Sequence, residues 1–447
     1  MFTRACLGLL LLLSTYVWSQ ADTNGTEDAT NPGDQVPMRT PPPVSGQAYS
    51  TAFTSETQSN TLRAGLTYST SYSDNVLGGD NPVGSAYYSI WPTIALDANT
   101  TRLHWLLNYS PGFTFYQSVN ARNQSDQNVA LNFQYRLSSH VTASLQDSFQ
   151  KTSNPFNQPN PLSATPVSGS APAPNLGVIA PTADQVRNTA NAQITYQLSA
   201  NGMAGVSGTF TNLNYPNPAE VPGLYDSSSI GGSAFYSRRL LEKYDVGVSY
   251  QYQDISSYQA GGHYSTQTQT QTQTIFLFCT ISLKPTLSLS LSGGPQHSDA
   301  TQLPLPPSQS WSPMTMASLS WQGQRTSLAA SYSRMVSGGG GLTGAYHSNT
   351  ASISGRWQLS RTWTAGLSAS YWLYQTLTPF FFGSSSNGRT VSGTTSVQHP
   401  LGEHLTIQAG YTRILQSYGG LAAMSATPGI NQEFVSVSYV FARPLKR

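Results

Sequence analysis

Residues 266–285 read TQTQTQTQTIFLFCTISLKP and pass without a break from a Thr-Gln repeat into an apolar run. Side chains of a β-strand point alternately to two faces, so a period of two predicts one strand over this stretch. One face carries glutamines followed by Ile275, Leu277 and Cys279, and the other carries the threonines. A Thr-Gln repeat alone is also typical of a low-complexity tract, and the neighbouring sequence decides against that interpretation.

The same alternation recurs along the chain. It is clear in YDVGVSYQYQ (244–253), TLSLSLS (286–292), NVALNFQYRL (128–137) and HLTIQAGY (404–411). We find about 18 such segments, each close to the 9 to 11 residues with which a tilted strand crosses a bilayer. Each segment has one apolar face and one face of small or polar residues.

The connections between these segments alternate in length. Short ones include SSH (138–140), KPT (284–286) and QGQR (322–325). Between them lie longer connections rich in Pro, Gly, Ser and Asn, at 152–185, 213–228, 296–310 and 416–430. This order predicts an antiparallel meander with two unequal ends.

The composition is unlike that of a soluble enzyme. Of the 447 residues only 9% are charged and 38% are hydrophobic, whereas roughly a quarter of the residues in ordinary globular proteins are charged. A soluble β-sandwich of this size needs a charged exterior, which this composition does not provide. A propeller needs a visible repeat, and the sequence shows none. No stretch reaches the roughly 18 consecutive apolar residues of a membrane helix, which argues against helical membrane architecture.

The first residues differ from the rest. Residues 1–21 place Arg4 before a short apolar stretch and small residues, a pattern that predicts a secretory signal peptide. Residues 22–58 are rich in Pro, Thr and Asn, which predicts a disordered linker. The domain built from the alternating segments then covers residues 59–447.

The last segment, EFVSVSYVFARPLKR (433–447), carries Val435, Val437, Tyr439 and Phe441 on one face. It resembles the terminal strand of Gram-negative outer-membrane β-barrels, in which alternating apolar residues and a final aromatic residue form the assembly signal. Six residues follow Phe441 here, where the family usually stops. RAGLTYSTSYSDNVLGG, beginning at Arg63, is also similar to uncharacterised barrels of porin size.

The resemblance implies an all-β protein that forms a closed antiparallel up-and-down transmembrane β-barrel of about 18 strands, in the range 16–18. It implies a place in the outer membrane, contact with lipid and lipopolysaccharide, and insertion by the barrel-assembly machinery. A closed barrel pairs every backbone edge, as lipid requires.

Aromatic residues of the apolar face form two groups, as expected at the two rims of a membrane belt. Near the short turns lie Tyr196, Tyr244, Trp321, Trp357 and Trp363. About one belt height away lie Tyr109, Tyr250, Tyr332, Tyr371 and Tyr411.

The inward face is dominated by Ser, Thr, Gln, Asn and Gly. A barrel of this strand number leaves a water-filled channel unless a segment plugs it, and the candidate plugs are residues 22–58 and 152–185. Arginines with inward parity near the short turns are Arg63, Arg102, Arg136, Arg239 and Arg356. They either extend to water and headgroups or form a weakly cationic inner mouth that favours anions.

Aromatic residues also take inward parity, namely Tyr116, Phe276, Phe278, Trp372 and Tyr374. Their rings suit either contact with sugars in a polar channel or packing against a plug.

The chain contains no GxSxG, HExxH, P-loop or dinucleotide motif, and its histidines lack metal-ligand spacing. We therefore expect no catalytic residue, metal, cofactor or nucleic-acid partner. The leading hypothesis is a porin-like pore for passive diffusion of small polar, neutral or weakly anionic solutes. The alternatives are a conduit for polysaccharide export and a surface scaffold or adhesin.

Overall fold

The computed structural model describes residues 60–78, 81–119, 123–153, 183–217, 224–241, 243–259, 268–284, 286–302, 306–338, 341, 344–377, 387–418 and 429–445. The predicted signal peptide and linker lie outside the described residues. No helix within the described ranges is long and apolar enough to cross a membrane.

The described chain forms one sheet of 18 antiparallel strands. The strands are β1 (Thr61–Ser73), β2 (Ser85–Asn99), β3 (Leu103–Tyr116), β4 (Gln124–Arg136), β5 (Val141–Thr152), β6 (Gln185–Ser199), β7 (Gly202–Asn214), β8 (Tyr225–Leu241), β9 (Tyr244–Gln259), β10 (Thr268–Lys284), β11 (Leu287–Gln302), β12 (Ser308–Gln322), β13 (Thr326–Ser337), β14 (Tyr346–Gln358), β15 (Thr364–Thr376), β16 (Asn387–Pro400), β17 (Leu405–Tyr418) and β18 (Gly429–Pro444). Each strand pairs with its neighbours in the chain.

The sheet closes on itself because the first and last strands pair. The register places Ala64 opposite Phe441 and Leu66 opposite Tyr439. Tyr439 and Phe441 are each 49% exposed on the outer surface. The predicted all-β fold, the closed barrel and the strand number are confirmed.

Strand β10 shows how the two faces are used. Thr268, Thr270, Thr272 and Thr274 point inward and are buried, whereas Ile275 and Leu277 point outward and are 55% and 69% exposed. Pairing with β9 and β11 continues through the Thr-Gln repeat. The wall therefore extends past the apolar belt, and the outer face turns polar while the strand continues.

The ends of the barrel are unequal. Turns of two to five residues connect β2 to β3 and each later even-numbered strand to the strand that follows it. The start of β1 and the end of β18 lie at the same end of the barrel as these turns. We call this the inner end and the opposite one the outer end. Outer connections hold from five to 32 residues.

One predicted outer loop is much shorter than expected. The interval 296–310 is mostly strand, because β11 reaches Gln302 and β12 begins at Ser308. The outward side chains there include His297, Asp299 and Gln309, so apolar alternation ends although backbone pairing continues. The sequence pattern marks the end of the apolar belt and not the end of the strand.

The outer surface carries an apolar belt with aromatic residues near both of its edges. All ten aromatic residues predicted for the two edges are exposed, by 38% to 57%. At the outer edge, the hydroxyls of Tyr109 and Tyr411 donate hydrogen bonds of 2.6 Å to the side-chain oxygens of Gln127 and Asn431 on the following strands. These tyrosines place a ring against lipid and a hydroxyl among polar groups.

We expect the inner end to face the periplasm and the outer end to face the exterior. Ser139 lies exposed in the β4–β5 turn, and Ser118 lies exposed just after β3 at the outer end. In a Cys279→Ser background, S118C should react with an impermeant maleimide on intact cells, whereas S139C should react only after lysis. Labelling of S139C on intact cells together with protection of S118C would reverse the orientation.

Candidate functional site

The interior of the barrel is lined by hydroxyl side chains that pair across neighbouring strands. Ser69 shares a hydrogen bond of 2.6 Å with Ser89, and Ser370 shares one of 2.6 Å with Ser392. Further inward pairs are Thr67–Ser438, Ser207–Ser233, Thr280–Ser290, Ser298–Ser310, Ser331–Ser352 and Thr394–Thr412. The sequence produces them because Ser or Thr occupies the inward position on both strands of each pair.

The five predicted inner arginines do not all occupy one kind of position. Arg63, Arg136, Arg239 and Arg356 lie on the inward parity of β1, β4, β8 and β14 near the inner end. The inward placement of Arg102 is wrong, because β2 ends at Asn99 and β3 starts at Leu103. Arg102 is an exposed residue of the turn and has no strand parity.

Charge at the inner end is partly compensated. The Nε atom of Arg239 lies 2.9 Å from Oδ1 of Asp245, and both side chains are largely shielded from solvent. Arg136 and Arg356 are exposed, and neither takes part in an ion pair among the described residues. These two arginines are therefore better placed than Arg239 to act on a passing ion.

The predicted lumen aromatics lie inside the barrel, but most have little free surface. Phe276, Phe278, Tyr116 and Tyr374 are between 1% and 7% exposed, and Trp372 is partly exposed. Tyr116 packs against Tyr87 with ring centroids 5.0 Å apart, and Tyr374 packs against Tyr346 at 5.6 Å. Trp372 is the member of this group with ring surface left for a solute.

Inward rings lie against glycines of the neighbouring strand, an arrangement that alternation along one strand does not predict. A Cβ atom placed on Gly112 would be 2.4 Å from the ring of Trp91, which is 1% exposed. The same arrangement joins Phe235 to Gly205, Phe278 to Gly247 and Phe434 to Gly410. The rings lie flat on the wall, because these glycines leave space for them.

The end of the β13–β14 hairpin leaves the wall. We call Met335–Tyr346, sequence MVSGGGGLTGAY, the glycine hairpin. Pairing of β13 with β12 stops at Arg334, although β12 continues towards the outer end as far as Ser308. Pairing of β13 with β14 continues to the pair Ser337 and Tyr346. The hairpin therefore bends as a unit away from its neighbour β12.

The described residues of the glycine hairpin, 335–338, 341 and 344–346, lie inside the barrel against the wall formed by β8–β11. The amide of Gly344 donates to the inward Ser257 hydroxyl at 2.7 Å, and the amide of Tyr225 donates to the carbonyl of Gly341 at 3.0 Å. The amide of Val336 donates to Oε1 of Gln296 at 2.9 Å. These bonds fix the hairpin on strands that are two to five positions away from β13 in the sheet.

Glycine is required at the points of closest approach. Gly341 has a φ of +78°, and a Cβ atom there would lie 2.7 Å from the Tyr215 hydroxyl oxygen. Gly344 also has positive φ, at +71°. At Gly338 a Cβ atom would lie 2.1 Å from Cγ2 of Ile255. Other residues would be strained or would clash at these positions.

A cavity lies between the glycine hairpin and the inner wall of β6–β9. Arg187, Thr211, Ser227, Gln253 and Gly338 are among its lining residues. Arg187 was not among the predicted site residues, although its inward parity on β6 follows from the alternation. The segments predicted as plugs, 22–58 and most of 152–185, lie outside the described residues.

Within the described ranges, no group of three or more His, Cys, Asp and Glu side chains is arranged to hold a metal ion. The free thiol of Cys279 has the outward parity of β10 and lies in the apolar belt.

Comparisons with known proteins give fold-level likeness only. No protein-family model matches the chain, and no curated protein matches it. The crystal structure of Pseudomonas aeruginosa OccK2 (OpdF) aligns over 86% of this chain and 98% of its own, with 11% identity and a TM-score of 0.42. That of Acinetobacter baumannii OccAB4 aligns over 86% and 99%, with 9% identity and a TM-score of 0.40.

The siderophore receptor PirA from Pseudomonas aeruginosa aligns over 85% of this chain and 80% of its own, with 11% identity and a TM-score of 0.40. These values are too low for the likeness to indicate a solute or a mechanism. The assignment of the chain therefore depends on its own geometry.

That geometry consists of a closed sheet, an apolar outer belt with aromatic edges, and a polar interior. Only a closed barrel or a helix satisfies its backbone hydrogen bonds in lipid, and the described chain is the former. Contact with lipid and lipopolysaccharide and assisted insertion follow from this architecture in general. The chain is a closed β-barrel of the outer-membrane type, with an apolar outer belt and a channel-like polar interior.

Proposed function

We propose that the protein is a porin-like pore for passive diffusion of small polar, neutral or weakly anionic solutes. The observation that carries this proposal is the inward wall of paired hydroxyls, described above for β1–β2, β7–β8 and β15–β16 among others. Hydroxyls replace some of the hydrogen bonds that a solute loses from water. Because they are neutral and already paired, they do not hold a solute tightly enough to stop its passage.

The weak preference for anions rests on the inner end. Arg136 and Arg356 are exposed on the inward parity, and no described acidic side chain pairs with them. Charges in a mouth with a low-dielectric wall act on a passing ion more strongly than surface charges do. Arg239 contributes less, because Asp245 neutralises it at 2.9 Å.

The test is ion selectivity in a planar bilayer under a KCl gradient. The purified barrel should conduct, with a reversal potential that favours chloride. The double variant R136Q/R356Q should shift that potential towards zero, and the shift should diminish as salt rises, because screening acts over about 8 to 10 Å at physiological ionic strength.

Arg413 supplies a matched control, because it is exposed on the outer surface of β17. R413Q should leave the reversal potential unchanged. Cation selectivity of the unmodified barrel, or indifference to R136Q/R356Q, would contradict the cationic mouth and leave the pore intact. Absence of conductance would contradict the pore.

The glycine hairpin bears on the alternative of a polysaccharide conduit. A polymer must thread a continuous passage, whereas the hairpin lies in the interior and is fixed to the wall at β8, β9 and β11. This geometry favours small solutes. A barrel that passes no current and whose outer loops bind a partner would instead support the scaffold or adhesin alternative.

A further inference from the structure

The wall above the apolar belt presents a regular face on the outer side of β9–β12, where the register aligns outward side chains in two rows. The row nearer the belt consists of Tyr252, Gln273, His297 and Trp311. The row beyond it consists of Asp254, Gln271, Asp299 and Gln309. We call these residues the outer-wall platform. Neighbouring strands are about 4.8 Å apart, so the platform is about 14 Å wide.

Trp311 is an apolar ring that lies beyond the lipid. It is 72% exposed, more than any other large hydrophobic side chain of the described residues. Along β12 it lies six residues further out than Ala317, which pairs with Tyr332 at the outer edge of the belt. Six residues of a tilted strand rise roughly 15 Å, which places the ring outside the hydrocarbon layer. The ring therefore offers apolar surface to a partner outside the membrane.

The aspartates of the platform orient neighbouring glutamines. The Nε2 atom of Gln309 donates to Oδ2 of Asp299 at 3.2 Å. Oδ2 of Asp254 accepts from Nε2 of Gln271 at 3.5 Å and from Nε2 of Gln269, beside the platform, at 2.8 Å. An ionised carboxylate only accepts, so each amide directs its nitrogen to the aspartate and keeps Oε1 as an acceptor. None of these three Oε1 atoms accepts a hydrogen bond from a described residue.

The charge of the platform selects against an anionic partner. Asp254 and Asp299 contribute two carboxylates, and none of the platform residues is Lys or Arg. A phosphate or a uronic acid is therefore repelled, whereas a neutral molecule can donate its hydroxyls to the glutamine Oε1 atoms. A sugar combines such hydroxyls with an apolar C–H face that packs on an aromatic ring.

We propose that the outer-wall platform binds a neutral oligosaccharide outside the membrane. One sugar ring stacks on Trp311, and hydroxyls of the chain donate to Gln271 and Gln309. A width of about 14 Å suits a chain of sugar rings better than a single ring. The inference goes beyond the proposed pore, because the platform lies on the outer side of the wall and not in the channel.

The experiment measures binding of the purified full-length barrel, in detergent, to immobilised oligosaccharides by biolayer interferometry. The probes are maltohexaose, cellohexaose and laminarihexaose, which are neutral and differ in linkage, and hexagalacturonate, which is anionic. At least one neutral probe should bind, and hexagalacturonate should not. W311A should weaken this binding about tenfold or more, whereas W311F, which keeps a ring, should weaken it less than about threefold. Q271A/Q309A should weaken it about threefold or more, because it removes two acceptors.

Trp321 supplies a matched control, because it points outward from the same strand at the inner edge of the belt. W321A should bind the neutral probe like the unmodified protein. Raising the salt concentration should leave the affinity unchanged, because a neutral ligand has no charge to screen. Heat-modifiability on a gel reports folding, and Q271A/Q309A carries the test where W311A fails to fold.

Several outcomes would overturn the platform. Lack of binding to all three neutral probes would do so, as would tighter binding of hexagalacturonate or equal losses in W311A and W321A. Unchanged affinity in the folded W311A and Q271A/Q309A variants would place the sugar elsewhere on the barrel. Conduction is measured separately, so the pore and the platform fail independently.

Discussion

Replacing residues 338–345 by a two-residue Asn-Gly turn should raise the single-channel conductance of the purified barrel several-fold. The deletion removes Gly341 and Gly344, whose backbones hold the glycine hairpin on β8 and β9. Ser337 is the last residue of β13 and Tyr346 is the first residue of β14, and the two residues pair with each other. The Asn-Gly turn, which suits a two-residue hairpin connection, then joins them. Ions then pass through a larger cross-section at the outer end.

A cross-link provides the control for this deletion. A Cβ atom on Gly338 would lie 3.4 Å from Cβ of Ile255, close to the separation of about 3.5 to 4.5 Å found in disulfides. In a Cys279→Ser background, I255C/G338C should form an intramolecular disulfide and keep the conductance of the unmodified barrel. An unchanged conductance after the deletion would show that the hairpin does not restrict the channel, and absence of the disulfide would contradict its position.

Replacing both Tyr439 and Phe441 by Ser should greatly lower the folded, heat-modifiable fraction of the protein in the outer membrane. Both side chains lie on the outer surface of β18, each 49% exposed, where β18 pairs with β1 and closes the barrel. If the terminal aromatic residues form the assembly signal, their loss reduces insertion before any effect on the finished barrel. The folded fraction is measured by gel mobility of membrane samples with and without heating.

A double substitution elsewhere separates a signal from a general loss of apolar surface. Ile194 and Tyr196 lie on the outer face of β6 near the inner end and are 51% and 48% exposed. I194S/Y196S therefore removes comparable lipid-facing area outside the terminal strand. Similar losses in the two double variants would show that β18 has no special role, and unchanged assembly of Y439S/F441S would refute the signal outright.

The interior of the barrel is only partly accessible from sequence. Alternation predicts the inward threonines of β10, which are buried in the structure, and it gives Arg136 and Arg356 the inward parity of β4 and β14. It fails at Arg102, because parity has no meaning in a turn. It also cannot show that Asp245 neutralises Arg239 or that the Phe278 ring lies flat over Gly247, because both facts depend on the register between strands.

The sequence by itself determined the strand segments of the apolar belt, their two faces and their antiparallel order. These follow from a local rule, since each residue of a strand faces opposite to the next and lipid requires the apolar face outside. The wall above the belt was also predictable at β10, where the Thr-Gln repeat keeps the period of two.

Only the tertiary structure decided what occupies the channel. The glycines of residues 338–341 and Gly344 are consistent with an ordinary outer loop. The role of Gly338, Gly341 and Gly344 depends on β13 leaving β12 at Arg334 and on hydrogen bonds to Tyr225, Ser257 and Gln296 on other strands. The cavity around Arg187 exists because of that bend. Alternation is a property of neighbouring residues, whereas the path of the hairpin is set by contacts between segments far apart in the chain.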